Sequence, residues 1–550
     1  MIEKTSVKWA LIKYDETSVD RDIEDVLKER FPENFDLYNT IDKLHDPYLL
    51  ADMDKAVKRI KEAKEKDEKV IIFWDYDVDW VTSTAILMHF FKTIWLKASY
   101  RLPHRVDDWY WLKDYFVDEV HKLWVTLIVT VDCWTRDTDI IKYAKKLGID
   151  VIVTDHHAVP ENLEEGVEIA MINPKRSDCN YVYKNLAWAW VAFKLMQALA
   201  KEFLDEDKVD DYIRETIDIA AIWTVADCMM LTWENRIIVT EWLKQIKNSR
   251  SRWIRRLIED KINDELDADL FWFHIWPRLN AAWRMDTAYK AVNLILNNWD
   301  SLDKTIREIE SLNEERKFLT RQFVEEAMWK VNRKNNIIFH VSKEITHWII
   351  WIVAGRLTET FYKPSIVLKD EWDKLIASCR SPEYYSIIDI LEKYKKYFIT
   401  FWWHKQAAWF SIRREDFTDF RKEILDEVNK LNFKQYKKEL PVDKVVKIEE
   451  IWFSFLNKIN KYKPFWIGNT KPIFIIEKFE YKNVEILGKN SRDHIRFNTK
   501  HWFKVFWFWL WEYLEDIKKA NYIDLVFDLS EDSWMWKKNI MFKVIDIIIH

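Results

Sequence analysis

Acidic and imidazole side chains cluster at four places in the first half of the sequence. Asp75, Asp77 and Asp79 stand in FWDYDVDW, directly after a short run of apolar residues. Three carboxylates this close repel one another unless a cation or hydrogen bonds compensate them. Such a segment standing alone could equally be an acidic exposed turn. Three further segments carry related side chains: Asp132 in VTVDCWT, Asp155, His156 and His157 in TDHH, and Asp227 in VADCMML.

This set of donors favours a pair of hard divalent cations. Carboxylates and imidazoles without thiolates suit Mn²⁺ or Mg²⁺ better than structural zinc. Two such ions, about 3.5–4 Å apart, can activate a water molecule and hold both oxygens of a displacement at phosphorus. Cys133 and Cys228 follow two of the acids and are expected to be packing residues. Asp79 is open between a helix N-cap, a turn acid and a metal ligand.

The acids follow predicted strands. Short apolar runs at 70–73, 126–131 and 151–154 alternate with longer helical patterns, which is typical of a mostly parallel α/β sheet. Ligands of open α/β sheets lie beyond the carboxyl ends of the strands. The three strands are therefore expected to present their acids and histidines to one crevice.

The rest of the chain divides into further predicted regions. Residues 182–245 are expected to be mainly helical, and apolar residues at helical spacing over about 311–333 predict one long exposed helix between two domains. A second α/β stretch should follow, with strands near 349–353 and 365–368. After Pro441, short strands with turn signals suit a small β-barrel.

The composition excludes several classes of protein. With a net charge of only −6, binding of an anionic polymer must use local basic patches. The four cysteines form no CxxC pair, which argues against a disulfide framework or a zinc ribbon. The N-terminus has no apolar signal segment and no stretch reaches 18 apolar residues, so we expect a soluble, cytoplasmic protein without a membrane partner.

The four acidic segments, in this order and spacing, resemble the motifs of the DHH phosphoesterase family. Later segments, WPRLNAAWRM, VAGRLTE, SCRS and WWHKQAAWF, resemble those of the RecJ exonucleases within that family. The resemblance implies two α/β domains, DHH phosphoesterase and DHHA1-like, joined by a long helix and followed by an OB-type β-barrel. The implied divisions are an N-terminal segment 1–45, a catalytic domain 46–310, a connecting helix 311–333, a substrate-binding domain 334–440 and a nucleic-acid-binding domain 441–550.

The resemblance also implies roles for individual residues. Asp132 would bridge two ions, His157 would contact the scissile phosphate or protonate the leaving oxygen, and Asp155 would orient the imidazoles. For any single arginine in the implied substrate set, a surface salt bridge is the alternative. The implied metal ligands are Asp75, Asp77, Asp132, His156 and Asp227. The implied nucleic-acid-binding residues are Arg105, Arg278, Asn280, Arg284, Arg356, Ser378, Arg380, His404 and Lys405.

The function that the resemblance implies is a 5′→3′ exonuclease specific for single-stranded DNA, with two Mn²⁺ or Mg²⁺ ions, acting in repair and recombination. We expect a monomer that works with a single-strand-binding protein and a helicase. One alternative is a phosphodiesterase of the same family for oligonucleotides or cyclic dinucleotides, which should be shorter and lack the C-terminal barrel. The other is a non-catalytic nucleic-acid-binding scaffold, which should lack several of the motif acids.

Glycine is nearly absent from this chain. The sequence has 5 glycines and 33 tryptophans, and together they make about 7% of the residues, the usual share of glycine alone. Only glycine reaches positive φ or lets backbone approach a phosphate cheaply. We expect most tryptophans to stand for glycines, as a UGA codon read as glycine in the cell would produce; a truly tryptophan-rich protein is the alternative. Tryptophan occupies the family's glycine positions at Trp74, Trp80, Trp134, Trp276, Trp283, Trp402, Trp403, Trp409 and Trp466.

Overall fold

The structure is a computed structural model of the chain. It describes all residues except 9, 32–36, 38–39, 75–79, 102–113, 134, 136, 158, 160–167, 185–187, 250, 263–265, 286–287, 297–301, 405, 434–435, 488–493, 501–502, 509–512 and 535–536. The side chains at 74, 80–81, 188–189, 282–285, 288–289, 402–404, 533–534 and 537 are outside the description as well.

The chain begins with a hairpin and a short helix. The elements are β1 (Ile2–Thr5), β2 (Leu11–Tyr14) and α1 (Ile23–Lys28). The hairpin does not stand by itself, because β2 pairs in parallel with Glu439–Pro441 from far along the chain. The N-terminal segment therefore packs with the C-terminal part of the molecule.

A five-stranded parallel sheet forms the centre of the first domain. Its strands are β3 (Lys69–Trp74), β4 (Ala98–Arg101), β5 (Val125–Val131), β6 (Asp150–Thr154) and β7 (Ala170–Ile172), in the order β4-β3-β5-β6-β7. The strands predicted at 70–73, 126–131 and 151–154 are confirmed. Residues in register, such as Trp74 with Val131 and Val131 with Thr154, align the carboxyl ends of the three central strands.

Helices cover both faces of this sheet. Val70 and Ile72 of β3 pack into one core, whereas Ile71 and Phe73 pack into the core on the opposite face. Burial on both faces is what a parallel sheet requires, and it explains the continuous apolar runs of the strands. The helices of the domain are α2 (Met53–Glu65), α3 (Trp80–Thr93), α4 (Asp114–Lys122), α5 (Thr138–Lys146), α6 (Trp188–Phe203), α7 (Glu206–Ala226), α8 (Trp233–Gln245), α9 (Arg252–Leu257), α10 (Trp276–Met285) and α11 (Ala288–Leu296).

One long helix joins two cores. Helix α12 (Leu302–Lys330) has 29 residues and spans about 43 Å. Ile306 and Ile309 near its start lie in the core of the first domain, and Phe323 and Ala327 near its end lie in the core of the second. The predicted connecting helix is therefore present and begins at Leu302, earlier than the apolar spacing indicated.

The second domain contains a mixed five-stranded sheet in the order β11-β12-β10-β9-β8. A strand expected near 349–353 is instead part of helix α13, where Val353, Ala354 and Leu357 are buried at helical spacing. A short apolar run alone does not distinguish the two structures. The elements are β8 (Ile338–Ser342), α13 (Ile350–Phe361), β9 (Ser365–Asp370), β10 (Lys374–Arg380), α14 (Ile387–Leu391), β11 (Phe398–His404), β12 (Ala407–Arg413) and α15 (Phe417–Val428).

The C-terminal domain is built on a seven-stranded mixed sheet in the order β14-β15-β19-β20-β18-β17-β16. None of the described helices, here or elsewhere, has the length and apolar character needed to cross a membrane. The elements are β13 (Glu439–Pro441), β14 (Lys444–Val445), α16 (Phe453–Asn460), β15 (Phe474–Phe479), β16 (Asn483–Leu487), β17 (His494–Asn498), β18 (Lys504–Phe508), α17 (Leu514–Lys519), β19 (Ile523–Trp534) and β20 (Lys537–Ile549).

Candidate metal centre and catalytic site

Three residues that could bind a metal meet at the carboxyl edge of the first sheet. Asp132 follows β5, and His156 and His157 follow β6. One ligand atom from each of the three lies within 4.8 Å of the others, which makes them a group that could hold an ion. Asp132 Oδ1 is 3.7 Å from His157 Nδ1 and 4.0 Å from His156 Nε2. The order of the strands thus brings together residues that are distant in the sequence.

The backbone at Asp132 is in the left-handed region, with φ at +64°. Its amide still donates to Thr154 O at 2.8 Å, so the ladder between β5 and β6 extends one residue beyond the strand. A non-glycine residue in this conformation is uncommon, and such residues concentrate at functional sites. The side chain of Asp132 is buried, with 3% of its surface exposed.

Asp155 is the hydrogen-bond acceptor of the site. Its Oδ1 accepts from the amides of His156 at 2.7 Å and His157 at 3.1 Å, and from His157 Nδ1 at 2.7 Å. Its Oδ2 accepts from Thr135 Oγ1 at 2.5 Å and from the Thr135 amide at 3.2 Å. Burial by itself would raise the pKa of Asp155, but the hydrogen bonds and charge of His157 and the hydrogen bonds of Thr135 outweigh burial and lower the pKa below its ordinary value.

The ionised Asp155 fixes the tautomer of His157. A carboxylate without a proton can only accept, so Nδ1 of His157 must carry the hydrogen of their 2.7 Å contact. Nε2 is then the ring atom that remains for a substrate or a metal ion. The His157 side chain is 47% exposed, whereas that of Asp155 is 2% exposed. His157 therefore reaches solvent while its partner holds it from below.

Two residues that sequence reasoning missed complete this network. Asn173 follows β7 and is fully buried; its Nδ2 donates to His157 O at 3.0 Å and to Thr135 Oγ1 at 3.3 Å. Since Thr135 Oγ1 gives its single hydrogen to Asp155, it is free to accept from Asn173. Both residues follow a strand at the same sheet edge as the predicted ligands, and that position is the signal that could have identified them.

The other predicted metal ligands are less closely connected to this group. Asp227 caps the C-terminus of α7, where its amide donates to Trp223 O at 2.9 Å. Within the part of the chain that the structure describes, Asp227 does not belong to the group formed by Asp132 and the two histidines. Asp75, Asp77 and Asp79 lie outside the described residues.

The predicted nucleic-acid-binding residues lie on both domains joined by α12. Arg278 and Asn280 are on α10; Arg278 Nη1 donates to His274 O at 2.7 Å, and Asn280 is buried. Arg356 on α13 is exposed and pairs with Glu359 at 3.0 Å, a contact that fits the surface salt bridge considered for it. Arg105 and Lys405 lie outside the description, as do the side chains of Arg284 and His404.

Ser378 and Arg380 lie on the central strand β10 of the second sheet. Ser378 is buried, and Arg380 places its guanidinium 5.9 Å from the centre of the Trp351 ring. Arg380 Nη1 donates to Cys379 O at 2.8 Å, and burial lowers the pKa of this arginine. A desolvated guanidinium interacts more strongly with an anion than one in water, which suits a phosphate contact.

Comparison with known proteins identifies the class of this fold. The model of the DHH family, N-terminal domain, matches residues 69–226, and that of the RecJ OB domain matches residues 442–546. The single-stranded-DNA-specific exonuclease RecJ of Escherichia coli is 32% identical over 397 residues, which are 68% of this chain and 68% of that protein. The parallel sheet with its Asp-His-His edge is therefore that of a DHH-family protein. Within that class, the chain belongs to the RecJ family.

Two further similarities extend over more of the chain. RecJ of Bacillus subtilis is 31% identical over 513 residues, or 90% of this chain, but the match spans only 63% of that relative. The crystal structure of RecJ from Thermus thermophilus in complex with Mn²⁺ has a TM-score of 0.80 at 23% identity, covering 96% of this chain and 76% of that one. Together with the two family models, they confirm the predicted fold class of a DHH domain followed by a RecJ OB domain.

The hydroxyl of Thr135 should matter for the metal centre. Thr135→Val keeps the shape but removes the donor to Asp155 and the acceptor for Asn173. Because Asp155 also accepts from the amide of His156, an implied metal ligand, we expect Mn²⁺ affinity to fall roughly 10- to 100-fold, as for other residues that orient ligands. Calorimetric titration with Mn²⁺ measures this. Thr135→Ser retains the hydroxyl and should bind Mn²⁺ as the parent does. Equal affinity of the valine variant and the parent would rule out this role.

Proposed function

We propose that this chain is a metal-dependent exonuclease that removes nucleotides from the 5′ end of single-stranded DNA, in the cytoplasm, during repair and recombination. The observation that carries the proposal is the convergence of Asp132, His156 and His157 around the buried Asp155 in a chain of the RecJ family. The E. coli and B. subtilis relatives carry the name single-stranded-DNA-specific exonuclease.

The donor set fits divalent cations. Asp132 and His156, with Asp75, Asp77 and Asp227, would hold two Mn²⁺ or Mg²⁺ ions, and Asp132 would bridge them. Bound ions of this kind supply an activated water and neutralise charge that develops on the phosphate. Carboxylate and imidazole ligands without thiolate match these metals.

His157 has a separate role in the proposed reaction. Asp155 holds its Nδ1 hydrogen, so Nε2 is directed to the substrate, and the nearby carboxylate stabilises the protonated ring. We assign to Nε2 the transfer of a proton to the leaving oxygen of the cleaved phosphodiester. Thr135 and Asn173 would keep Asp155 and the His157 backbone in place during this transfer.

Substrate binding would use both domains. Arg105, Arg278, Asn280 and Arg284 on the first domain would bind phosphates of the strand. Arg356, Ser378, Arg380, His404 and Lys405 on the second would bind the 5′ end, in a cleft too narrow for a duplex. The described part of this set lies on α10, α13 and β10, and both α10 and α13 pack against α12. We also propose that the chain acts as a monomer, assisted by a single-strand-binding protein and a helicase.

Two other functions are less well supported. A phosphodiesterase for short oligonucleotides or cyclic dinucleotides does not need a C-terminal domain. In this chain, residues 442–546 match the RecJ OB domain. A non-catalytic scaffold would not need the network around Asp155. Both alternatives predict a different result in the cleavage assay below.

We further propose that most tryptophans stand for glycines, and we call the chain with glycine at those positions the glycine form. Three tryptophans, Trp95, Trp124 and Trp233, have φ of +58°, +62° and +48°. Left-handed backbone is a genuine outlier for a bulky residue and ordinary for glycine. Their side chains are also 89%, 81% and 61% exposed, although tryptophan is usually largely buried.

The hydrogen bonds around Trp95 are those of a glycine C-cap. The amide of Trp95 donates to Lys92 O, and that of Leu96 donates to Phe91 O, at 3.1 and 2.9 Å. Gly148, at the end of α5, has φ of +76°. Its amide and the amide of the next residue donate to carbonyls three and five residues earlier, as the amides of Trp95 and Leu96 do. This motif closes a helix with a left-handed residue that is usually glycine. The two sites thus share the backbone conformation and the hydrogen bonds, but one residue is tryptophan and the other is glycine.

The gene and the mass of the protein test the glycine proposal. We expect TGA codons at the motif positions and an intact mass well below the 67.3 kDa of the printed sequence. Sequencing the gene and mass spectrometry of the protein from its own cell provide the two measurements. TGG codons at Trp74, Trp80, Trp402 and Trp403 would refute the proposal.

The glycine form should shorten a single strand from its 5′ end in the presence of Mn²⁺ or Mg²⁺. The assay compares a long single strand, a duplex and a dinucleotide, and we expect rapid loss of only the single strand. Asp132→Ala should abolish cleavage because it removes the bridging ligand, whereas Asp139→Ala, an exposed acid on α5, should cleave at the parental rate.

Each alternative has its own outcome in this assay. Preference for the dinucleotide would favour the small-substrate phosphodiesterase. Intact strands with every metal, for parent and variant alike, would favour the scaffold. The printed form, with indoles at the glycine positions of the family motifs, should fold poorly and leave all substrates intact.

A further inference from the structure

A loop of the C-terminal domain inserts against the catalytic domain close to a predicted metal ligand. We call residues 462–469, between α16 and β15, the docking loop. The amide of Leu231 donates to Ile467 O of this loop at 2.8 Å. Leu231 lies four residues after Asp227, in the segment 228–232 that connects α7 to α8. The C-terminal domain thus contacts the backbone that follows Asp227.

The docking loop approaches the segment after Asp227 most closely at Gly468. Gly468 has φ of +82°, and a Cβ added to it would lie 3.2 Å from Met230 Cβ and 3.5 Å from the Leu231 amide nitrogen. The first distance is tighter than an ordinary van der Waals contact. Gly468 is one of the few glycines that the printed sequence retains. Both its backbone conformation and its neighbours therefore constrain this position.

Buried polar side chains fix the loop on the catalytic domain. Arg236 of α8, 4% exposed, donates to Tyr462 O at 3.0 Å, Lys463 O at 2.7 Å and Pro464 O at 3.4 Å. Asp267, also from the catalytic domain, accepts from the amide of Phe465 at 2.9 Å. Buried carbonyls and amides of a loop need such partners, since each would otherwise be desolvated without compensation.

The loop also holds its own shape. Asn469, 3% exposed, donates from Nδ2 to Tyr462 O at 2.7 Å and to Pro464 O at 2.8 Å. The same two carbonyls accept from Arg236. The internal turn and the contact with α8 therefore share acceptors, and the loop docks as a formed unit rather than as a flexible strand.

The other end of segment 228–232 is fixed by helix α7. The amides of Cys228 and Met229 donate to Val225 O and Thr224 O, each at 3.1 Å, and Cys228 has φ of +52°. This closes the helix just after Asp227. The segment is thus held by the helix end on one side and by the docking loop on the other.

We propose that the docking loop positions Asp227, so that the C-terminal domain contributes to metal binding in the catalytic domain as well as to binding of the strand. This inference rests on the proposed metal site. The path of coupling is short: Gly468 and Ile467 contact Met230 and Leu231, which continue from the cap of α7. Gly468, Arg236 and Asp267 are positioning residues, since none of them would touch the metal or the substrate.

Gly468→Ala in the glycine form tests the proposal, with Gly148→Ala as its matched control. Both glycines are left-handed, but a Cβ at Gly148 would meet nothing within 4 Å. Backbone strain should lower the melting temperature of both variants, and the contact with Met230 should add to the loss in Gly468→Ala. Only Gly468→Ala should lose Mn²⁺ affinity in a calorimetric titration without substrate, by about tenfold. Hydrogen exchange of the Leu231 amide should also accelerate only in that variant.

A double-variant cycle shows whether the effect passes through Asp227. In an Asp227→Asn background, Gly468→Ala should cause no further loss of Mn²⁺ affinity, because the group that it positions is already removed. Arg236→Lys, which keeps the charge but loses the guanidinium fork, should reproduce the loss if Gly468→Ala fails to fold.

The outcomes separate this inference from the proposed function. A parent chain that binds Mn²⁺ and a Gly468→Ala variant that binds it equally would overturn the coupling and leave the metal site intact. Additive losses in the double variant would also overturn it, since the loop would then act elsewhere. A parent that binds no Mn²⁺ would overturn both the coupling and the metal assignment.

Discussion

A buried carboxylate at the end of a central parallel strand determines how the site is built. An uncompensated charge at Asp155 would be strongly destabilising, because charges lose several kcal/mol of solvation when buried. Five hydrogen bonds from Thr135, His156 and His157 compensate it. These donors follow two different strands, so the charge is satisfied only when β5 and β6 are in register. The register that compensates the charge of Asp155 therefore also orients His157.

Much of this could be predicted from the sequence because the positions of the strands and of their ends are local properties. Continuous apolar runs predicted three parallel strands, and the acids that follow them predicted the edge where the site forms. Thr135 and Asn173 could not be assigned in this way, since their roles depend on which strand ends become neighbours. The run 349–353 was predicted wrongly as a strand because its apolar residues suit either a strand or a buried helix. In the structure it belongs to a helix that packs against the second sheet.

The contact between the two ends of the chain also could not be predicted from a local sequence pattern. Lys4 of β1 contacts Glu477 at 3.0 Å and Asp524 at 2.9 Å, both in the C-terminal domain. Asp524 is buried, and its hydrogen bonds with the Lys478 amide, Lys4 and His550 lower its pKa in spite of burial. Alternation of apolar residues predicts a strand but not its partner, because pairing depends on the rest of the sheet.

The contacts of the C-terminal domain show that it is attached to the rest of the chain by more than a linker. A nucleic-acid-binding module on a flexible linker would add only effective concentration of the strand. Here the domain is joined to the N-terminal hairpin through β2 and β13, and to the catalytic domain through Arg236 and the docking loop. The hydrogen bonds of Arg236 with the docking loop therefore restrict rotation between the C-terminal and catalytic domains. Under the proposed function, a strand bound by the C-terminal domain would then reach the catalytic site along a path of fixed length.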